Sequence, residues 1–215
     1  MNCCQAEHVG RAFDRATADH DLRRFRRRGP IPSTRLLIEA LQARQGTAAT
    51  LLDIGGGVGA IHHALLDSGV RDAIHVDLSS DYINAARDEA ARRGHGDHVQ
   101  FIRDDFLNAA PELGAADIVT LDRVVCCYPD MDRLLTAAAQ RTRRLFGAVY
   151  PRDTWWVHAG VVLTNLLQRM RRTDFRVYVH APAAIDAVLR GQRLERQTLR
   201  RTFIWEIVTY SRSAA

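Results

Sequence analysis

The feature that most constrains the fold of this chain is an apolar run that ends in a glycine cluster, Thr50-Leu-Leu-Asp-Ile-Gly-Gly-Gly-Val-Gly59. This run predicts a β-strand that turns sharply into a helix, because glycine adopts the backbone conformations that a tight turn requires. A second apolar run, Ala73-Ile-His-Val-Asp77, ends in an acid 18 residues after Gly59. Strand, glycine turn, helix, strand and acid in this order indicate a βαβ unit that binds a nucleotide-type cofactor.

Two kinds of cofactor use this geometry. Residues 55–60 satisfy the relaxed dinucleotide pattern G-x-G-x-x-A, but a pyrophosphate at the turn would lie close to the Asp53 carboxylate. S-adenosylmethionine has no phosphate and carries a sulfonium and an ammonium group, which a carboxylate attracts. The stretch Leu51 to Gly59 resembles motif I of class I S-adenosylmethionine-dependent methyltransferases, which favours this second cofactor.

The resemblance implies a role for the residues that follow three of the strands. Asp53 would attract the methionine ammonium or organise the turn, and Asp77 would hold the ribose hydroxyls. The segment Val99 to Phe106 resembles the one in which a carboxylate meets the adenine amino group, and Asp105 fits that role better than Asp104. The cofactor-binding residues expected on this basis are Asp53, Gly55, Gly57, Gly59, Asp77, Leu78, Asp104, Asp105, Phe106 and Asp122.

The rest of the chain predicts an α/β fold with a doubly wound, Rossmann-like sheet of seven mostly parallel strands. Ala116 to Asp122 and Phe146 to Pro151 are the fourth and fifth strands, and Arg193 to Thr198 and Thr202 to Ser211 form a C-terminal antiparallel hairpin. Helices are expected to start at the capping residues Ser33, Ser80 and Asp130. We expect an N-terminal helical cap over residues 1–46 and a methyltransferase domain over 47–215, with a cap insertion at about 152–182.

Charge is distributed unevenly along the chain. Residues 1–46 and 152–215 carry net charges of +4 and +6, whereas residues 47–151 carry −5, and all 30 cationic side chains are arginine. Basic flanks around an acidic core favour an anionic small-molecule acceptor, because arginine grips carboxylate and phosphate; the alternative is that these faces are merely solvated. A nucleic-acid partner is not expected, since the basic cluster at 23–28 contains a single aromatic residue.

The sequence also indicates where the protein is located and what one apolar helix does. No secretory leader and no run of 18 apolar residues is visible, so a cytoplasmic location is expected. A helix over 154–172, apolar with arginines at its end, is expected to cap a hydrophobic acceptor or to form a dimer contact; binding to a membrane surface is the less favoured interpretation. The oligomeric state stays open.

The segments Leu121 to Pro129, Tyr150 to Trp156 and Phe175 to His180 resemble magnesium-protoporphyrin O-methyltransferases in order and spacing. Those enzymes methylate a propionate carboxylate. Their pattern has a histidine before the Tyr-Pro pair, where this chain has Cys127. The candidate catalytic residues are Asp122 and His180 as bases, Tyr128 to orient the acceptor, and Cys127.

The four cysteines form two adjacent pairs, Cys3-Cys4 and Cys126-Cys127. No C-x-x-C spacing occurs, so no metal site is expected from them. They are either small packed thiols or, if the N-terminal segment folds over the pocket, a thiol-lined acceptor site.

These observations predict methyl transfer from S-adenosylmethionine to oxygen or sulfur of a small molecule. The alternatives are an NAD(P)-dependent oxidoreductase and a non-catalytic, S-adenosylmethionine-binding regulatory module.

Overall fold

The computed structural model describes residues 14–170, 173 and 175–213, so the predictions for Cys3 and Cys4 concern residues outside the described part of the chain. The helices are α1 (Arg15–Arg28), α2 (Pro32–Gln45), α3 (Ala60–Asp67), α4 (Ser80–Arg93), α5 (Phe106–Ala109), α6 (Met131–Gln140), α7 (Trp155–Met170) and α8 (Pro182–Gly191). The strands are β1 (Thr50–Ile54), β2 (Asp72–Asp77), β3 (Val99–Arg103), β4 (Ala116–Asp122), β5 (Thr142–Pro151), β6 (Leu194–Arg201) and β7 (Trp205–Arg212).

All seven strands form one sheet in the order β3-β2-β1-β4-β5-β7-β6. The first five in chain order pair in parallel, and β7 pairs antiparallel with β5 and with β6. This confirms the predicted α/β class, the doubly wound sheet and the C-terminal antiparallel hairpin. Parallel strands of this kind end at a common edge, and the strand order reverses between β1 and β4, where this type of sheet binds its ligands.

Apolar side chains cover both faces of the sheet. Leu37 and Leu41 of α2 pack on one face with residues of α3, and Leu134 of α6 and Ile185 of α8 pack on the other, all four with no exposed surface. Buried parallel strands need both faces covered, and β1 and β4 are accordingly buried along almost their whole length.

Several element boundaries differ from the predicted ones. Helix α2 begins at Pro32 rather than at Ser33, because proline suits the first helical position, where its missing N–H is not needed. Ser79, not Ser80, is the N-cap of α4, and its side chain accepts a hydrogen bond from Tyr82 N. Asp130 caps α6 as expected. Strand β5 starts at Thr142, since it pairs with β4 from that residue onward.

Helix α1 packs on the glycine turn and on α4 through a small apolar cluster that includes Leu22, Phe25, Val58 and Tyr82. A polar contact also holds α1 against α4, because Arg26 Nε donates to Glu89 Oε2 at 2.8 Å. The helix therefore lies at the edge of the sheet where β1 and β2 end.

Helix α7 is mostly exposed, and Val157 is its one buried residue. Its Trp155, Val162 and Met170 side chains are among the most exposed large apolar groups of the described chain. Within the described residues, no helix combines the length and the apolar character that crossing a bilayer would require.

Candidate cofactor and acceptor site

A cavity lies at the edge of the sheet where β1, β2 and β4 end, and α1 and the start of α2 close its other side. The glycine turn, the residues after β2 and β4, and one face of α1 line it. None of the described residues in the range 152–182 lines it. The cavity is thus built from the predicted βαβ unit and from the N-terminal helices.

The glycine turn has the backbone shape that its sequence predicts. Gly55, Gly57 and Gly59 have φ of +63°, +56° and +85°, a region that residues with a side chain rarely adopt. Gly55 N donates to Val76 O at 2.7 Å, and a Cβ on Gly55 would come within 2.4 Å of Val124 Cγ2. Glycine is therefore required at position 55 both by conformation and by the close approach of the loop that follows β4.

Asp77 lies at the end of β2 and lines the cavity with Leu78. Its Oδ2 accepts from Gly57 N at 3.1 Å and its Oδ1 from Ser79 N at 2.9 Å, so the carboxylate is fixed relative to the turn. Burial raises the pKa of Asp77 to about 6, although these backbone hydrogen bonds act in the opposite direction. The site thus holds an oriented carboxylate that ionises near neutral pH.

The two acids after β3 have different surroundings. Asp104 lines the cavity and is exposed, and its Oδ1 accepts from Asp105 N at 2.6 Å. Asp105 does not line the cavity: it caps α5, and its Oδ1 accepts from Leu107 N at 2.9 Å and from Tyr128 Oη at 2.7 Å. Phe106 is buried and forms part of the wall. Asp104 is thus the acid of this pair that lies at the cavity.

Asp122, at the end of β4, lines the cavity and accepts a short hydrogen bond from Thr34 Oγ1 of α2. Burial raises its pKa, against the effect of Arg123, whose Nε lies 3.4 Å from Asp122 Oδ1. Arg123 has a φ of +62° although it is not glycine, and its N–H donates to Val149 O. Such backbone strain is typical of functional sites, and no sequence pattern predicted it.

The loop after β4 contributes Cys127 and Tyr128 to the cavity, whereas Cys126 is buried beside it. Both cysteine Sγ atoms lie near Arg123 O, at 3.4 Å for Cys126 and 3.7 Å for Cys127. The Tyr128 hydroxyl donates to Asp105, and burial raises its pKa far above the usual range, so it remains protonated. It can therefore orient a neighbour but not act as a base.

His180 lies outside the cavity lining, in the irregular segment before α8. Its Nε2 is 2.9 Å from Tyr128 O, so the imidazole donates to the backbone of the loop after β4. Tyr178 N also donates to this loop, at Cys126 O. His180 therefore supports the loop after β4 and does not face the cavity.

Asp53 is 1% exposed and does not line the cavity. Its Oδ1 accepts from Thr120 Oγ1 at 2.7 Å, and its Oδ2 faces His62 Nδ1 at 3.6 Å. A Cβ on Gly56 would lie 2.8 Å from that Oδ2. Asp53 therefore makes its contacts beneath the glycine turn. Of the two roles expected for Asp53, these contacts fit that of organising the turn.

Helix α1 supplies cavity residues that the sequence did not single out, namely Asp21, Arg24 and Phe25. Asp21 Oδ2 accepts from the Tyr82 hydroxyl at 2.6 Å, which joins α1 to α4 across the site. The i, i+3 and i+4 spacing of these residues places them on one helix face and is the signal that could have identified them. With Arg123, Arg24 gives the cavity two guanidinium groups.

The arrangement thus combines a glycine turn, an oriented acid after the second strand and a second acid after the fourth, with arginines beside an otherwise largely apolar wall. Residues 51–144 match the model of a family described as methyltransferase domain. A ribosomal protein L11 methyltransferase of Escherichia coli (strain SMS-3-5 / SECEC) is 34% identical over 91 residues, which are 42% of this chain and 30% of that protein. The chain therefore spans about a third of the length of this curated relative.

Solved structures resemble the whole fold. Magnesium protoporphyrin IX methyltransferase from Synechocystis PCC 6803 with bound SAM has a TM-score of 0.70 at 17% identity and covers 99% of this chain and 100% of its own. An O-methyltransferase family protein from Burkholderia thailandensis has a TM-score of 0.73 at 20% identity, covering 94% of this chain and 61% of its own. At this identity the structures establish the fold alone, and the methyltransferase-domain model matches residues 51–144 of the chain.

Proposed function

We propose that this chain transfers a methyl group from S-adenosylmethionine to oxygen or sulfur of a small acceptor that is anionic and partly apolar. The observation that carries the proposal is that one cavity is lined both by the glycine turn with Asp77 and by Asp122, Arg123 and Cys127. Cofactor-binding groups and candidate acceptor-binding groups thus share a single space.

The cofactor end offers the groups that the adenosine part of S-adenosylmethionine needs. Asp77 is held by backbone hydrogen bonds with its carboxylate at the cavity, where it would accept hydrogen bonds from ribose hydroxyls. Leu78, Asp104 and Phe106 would surround the adenine. We propose that Asp53 organises the turn from below through its contacts there. When bound, S-adenosylmethionine supplies a methyl group that its sulfonium has already activated.

The acceptor end favours a small anion with an apolar part. Arg24 and Arg123 can pair with a carboxylate or phosphate, and Phe25, Ile31 and Cys127 provide apolar contacts. The relatives named above differ in their acceptors, and the structural likeness to O-methyltransferases supports oxygen as the acceptor atom. We further propose that α1 and α2 act as a cap that excludes water from the site.

Asp122 is the candidate base. Its buried carboxylate has a raised pKa, and it lies at the end of β4 on the cavity wall. Thr34 fixes its orientation through the hydrogen bond to Oδ2. A hydroxyl or thiol acceptor needs such a group to take its proton, whereas a carboxylate acceptor does not.

The test is an acceptor panel of carboxylates, phenols and thiols, with formation of S-adenosylhomocysteine as the readout. We expect Asp122→Asn to lower kcat by about 10²-fold or more for a hydroxyl or thiol acceptor, while cofactor affinity changes by less than about threefold. Asp132→Asn, an exposed acid on α6, is the matched control and should behave as wild type. Equal loss of turnover and cofactor affinity in Asp122→Asn would show that its role is structural, and cofactor binding without turnover of any acceptor would favour a regulatory module.

A further inference from the structure

Beneath the glycine turn lies a buried group of one carboxylate and two imidazoles that the proposed reaction does not use. Asp53 ends β1, His62 lies on α3 and His75 lies on β2. Their exposures are 1%, 0% and 0%, and none of them lines the cavity. We refer to these three residues as the buried triad.

The spacing of the triad matches that of ligands around one metal ion. One candidate ligand atom from each residue lies within 4.8 Å of the other two. His62 Nδ1 is 3.2 Å from His75 Nδ1 and 3.6 Å from Asp53 Oδ2. Ligand atoms bound tetrahedrally to zinc, at about 2.0–2.2 Å from the ion, are separated by about 3.3–3.6 Å. Both measured separations are close to this range.

The triad contains a buried oxygen atom without a hydrogen-bond partner among the described residues. Asp53 is buried, and its Oδ2 has no hydrogen-bond partner among the described residues. A buried polar atom is costly to leave without a hydrogen bond or a bound cation. Thr120 satisfies only Oδ1. A bound cation would provide the missing partner for Asp53 Oδ2.

The backbone of Gly56 packs directly against two of the triad residues. A Cβ on Gly56 would lie 2.5 Å from His75 Nδ1 and 2.8 Å from Asp53 Oδ2. Any other residue at position 56 would therefore crowd the two atoms that a cation would contact. Unlike its neighbours Gly55 and Gly57, Gly56 is not required by a positive φ, so its need for a small residue arises from this packing.

We propose that Asp53, His62 and His75 bind one divalent transition-metal ion, with zinc as the best match to two imidazoles and one carboxylate. Magnesium and calcium prefer oxygen ligands and do not match this set. The ion would join the end of β1, α3 and β2 directly under the glycine turn and would brace that turn. This proposal does not depend on the identity of the cofactor or acceptor.

The test uses the full chain, stripped with a chelator and titrated with Co²⁺ and Zn²⁺ in the absence of any cofactor. We expect one ion per chain, visible Co²⁺ absorption bands typical of a site with fewer than six ligands, and a thermal midpoint that rises with zinc concentration. The absence of stoichiometric binding to the wild-type chain would overturn the proposal without further variants.

Variants test whether the triad, and not another group of histidines, binds the metal ion. His75→Gln and Asp53→Asn should each weaken metal binding at least 10²-fold, and Asp53→Asn can still accept the hydrogen bond from Thr120 and so preserve the packing. His95→Gln is the matched control: His95 Nδ1 lies 3.0 Å from His63 Nδ1 and its Nε2 lies 3.2 Å from Asp67 Oδ1, but these three residues do not bring their ligand atoms together as the triad does. Undiminished binding in folded Asp53→Asn, or equal loss in His95→Gln, would contradict the assignment.

Discussion

At the scale of single residues, the most informative side chain is Asp77. The sequence places it after the second strand, and the structure fixes its two oxygens on backbone N–H groups of Gly57 and Ser79. Burial nevertheless raises its pKa to about 6, so a proton competes with any ligand that needs the charged form. A carboxylate that accepts two ribose hydroxyls would be stabilised in its ionised form by them.

Cofactor binding is therefore expected to depend on pH through Asp77. Because the bound form favours the ionised carboxylate, binding releases protons near pH 6, and affinity increases as the pH rises from about 5 to about 7. Calorimetric titrations with S-adenosylhomocysteine in two buffers of different ionisation enthalpy would measure this release. An affinity that stays constant over this range, with no proton release, would show that Asp77 does not contact the ligand as a carboxylate.

At the scale of elements, the glycine turn is specified by contacts on both sides. Gly55 avoids Val124 of the loop after β4, and Gly59 makes room for the His62 ring beneath, because a Cβ on Gly59 would come within 2.3 Å of His62 Cε1. In such a motif glycines allow the tight turn, the approach of a ligand and close packing. Here part of its glycine content is needed for packing against imidazoles.

Replacing Gly59 by alanine should therefore lower the free energy of unfolding by more than the conformational cost of a positive φ. Gly69 also has a positive φ, +109°, but a Cβ there would meet nothing within 4 Å, so Gly69→Ala reports the conformational cost, about 1–2 kcal/mol. Gly59→Ala should lower the free energy of unfolding by a further 1–3 kcal/mol or so, because the added methyl overpacks a buried site. Urea denaturation of both variants measures the difference, and equal destabilisation would argue against the contact with His62.

The sequence predicted those elements whose signals are local. Buried parallel strands read as apolar runs, and the turn and Asp77 follow from residue order, so the sheet and the cofactor end of the cavity were predictable. The sequence did not reveal that Arg123 has a left-handed backbone or which residues of the expected N-terminal helical cap line the cavity, because both depend on contacts between distant segments. The expected role of Asp105 shows the same limit: nothing local indicated that its side chain turns toward Tyr128 and Leu107.

At the scale of the whole molecule, Glu89 connects the N-terminal helix to the sheet domain. Its side chain has no exposed surface, and it accepts hydrogen bonds from Arg26 of α1 and from Arg92 and Arg93 of its own helix. Burial acts to raise the pKa of Glu89, but the hydrogen bonds from the three arginines outweigh it and hold the pKa well below its usual range. The stability that this ionised carboxylate contributes is present above its ordinary pKa and is lost as the pH falls below about 4.5.

Glu89→Gln should lower the free energy of unfolding at pH 7 by about 2 kcal/mol, because three partly exposed arginines lose the charged acceptor of their hydrogen bonds. The difference from wild type should shrink as the pH falls below about 4.5, where Glu89 of the unfolded chain becomes protonated while the native carboxylate still stays ionised. Glu39→Gln is the control: this half-exposed acid lies 3.2 Å from Arg200 and should contribute less than about 1 kcal/mol. Denaturation curves at several pH values would test this, and a pH-independent difference would exclude the ionic explanation.

The central claim is that the cavity binds S-adenosylmethionine through the glycine turn and Asp77. Calorimetric titration with S-adenosylhomocysteine, and with NADH in parallel, tests it on wild type, Asp77→Ala and the control Asp72→Ala, an exposed acid at the opposite end of the same strand. We expect S-adenosylhomocysteine to bind wild type and Asp72→Ala with a Kd on the order of micromolar, and Asp77→Ala about 10- to 100-fold more weakly, as for the loss of a charged hydrogen-bond acceptor. Binding of NADH alone, or unchanged affinity in Asp77→Ala, would contradict the account.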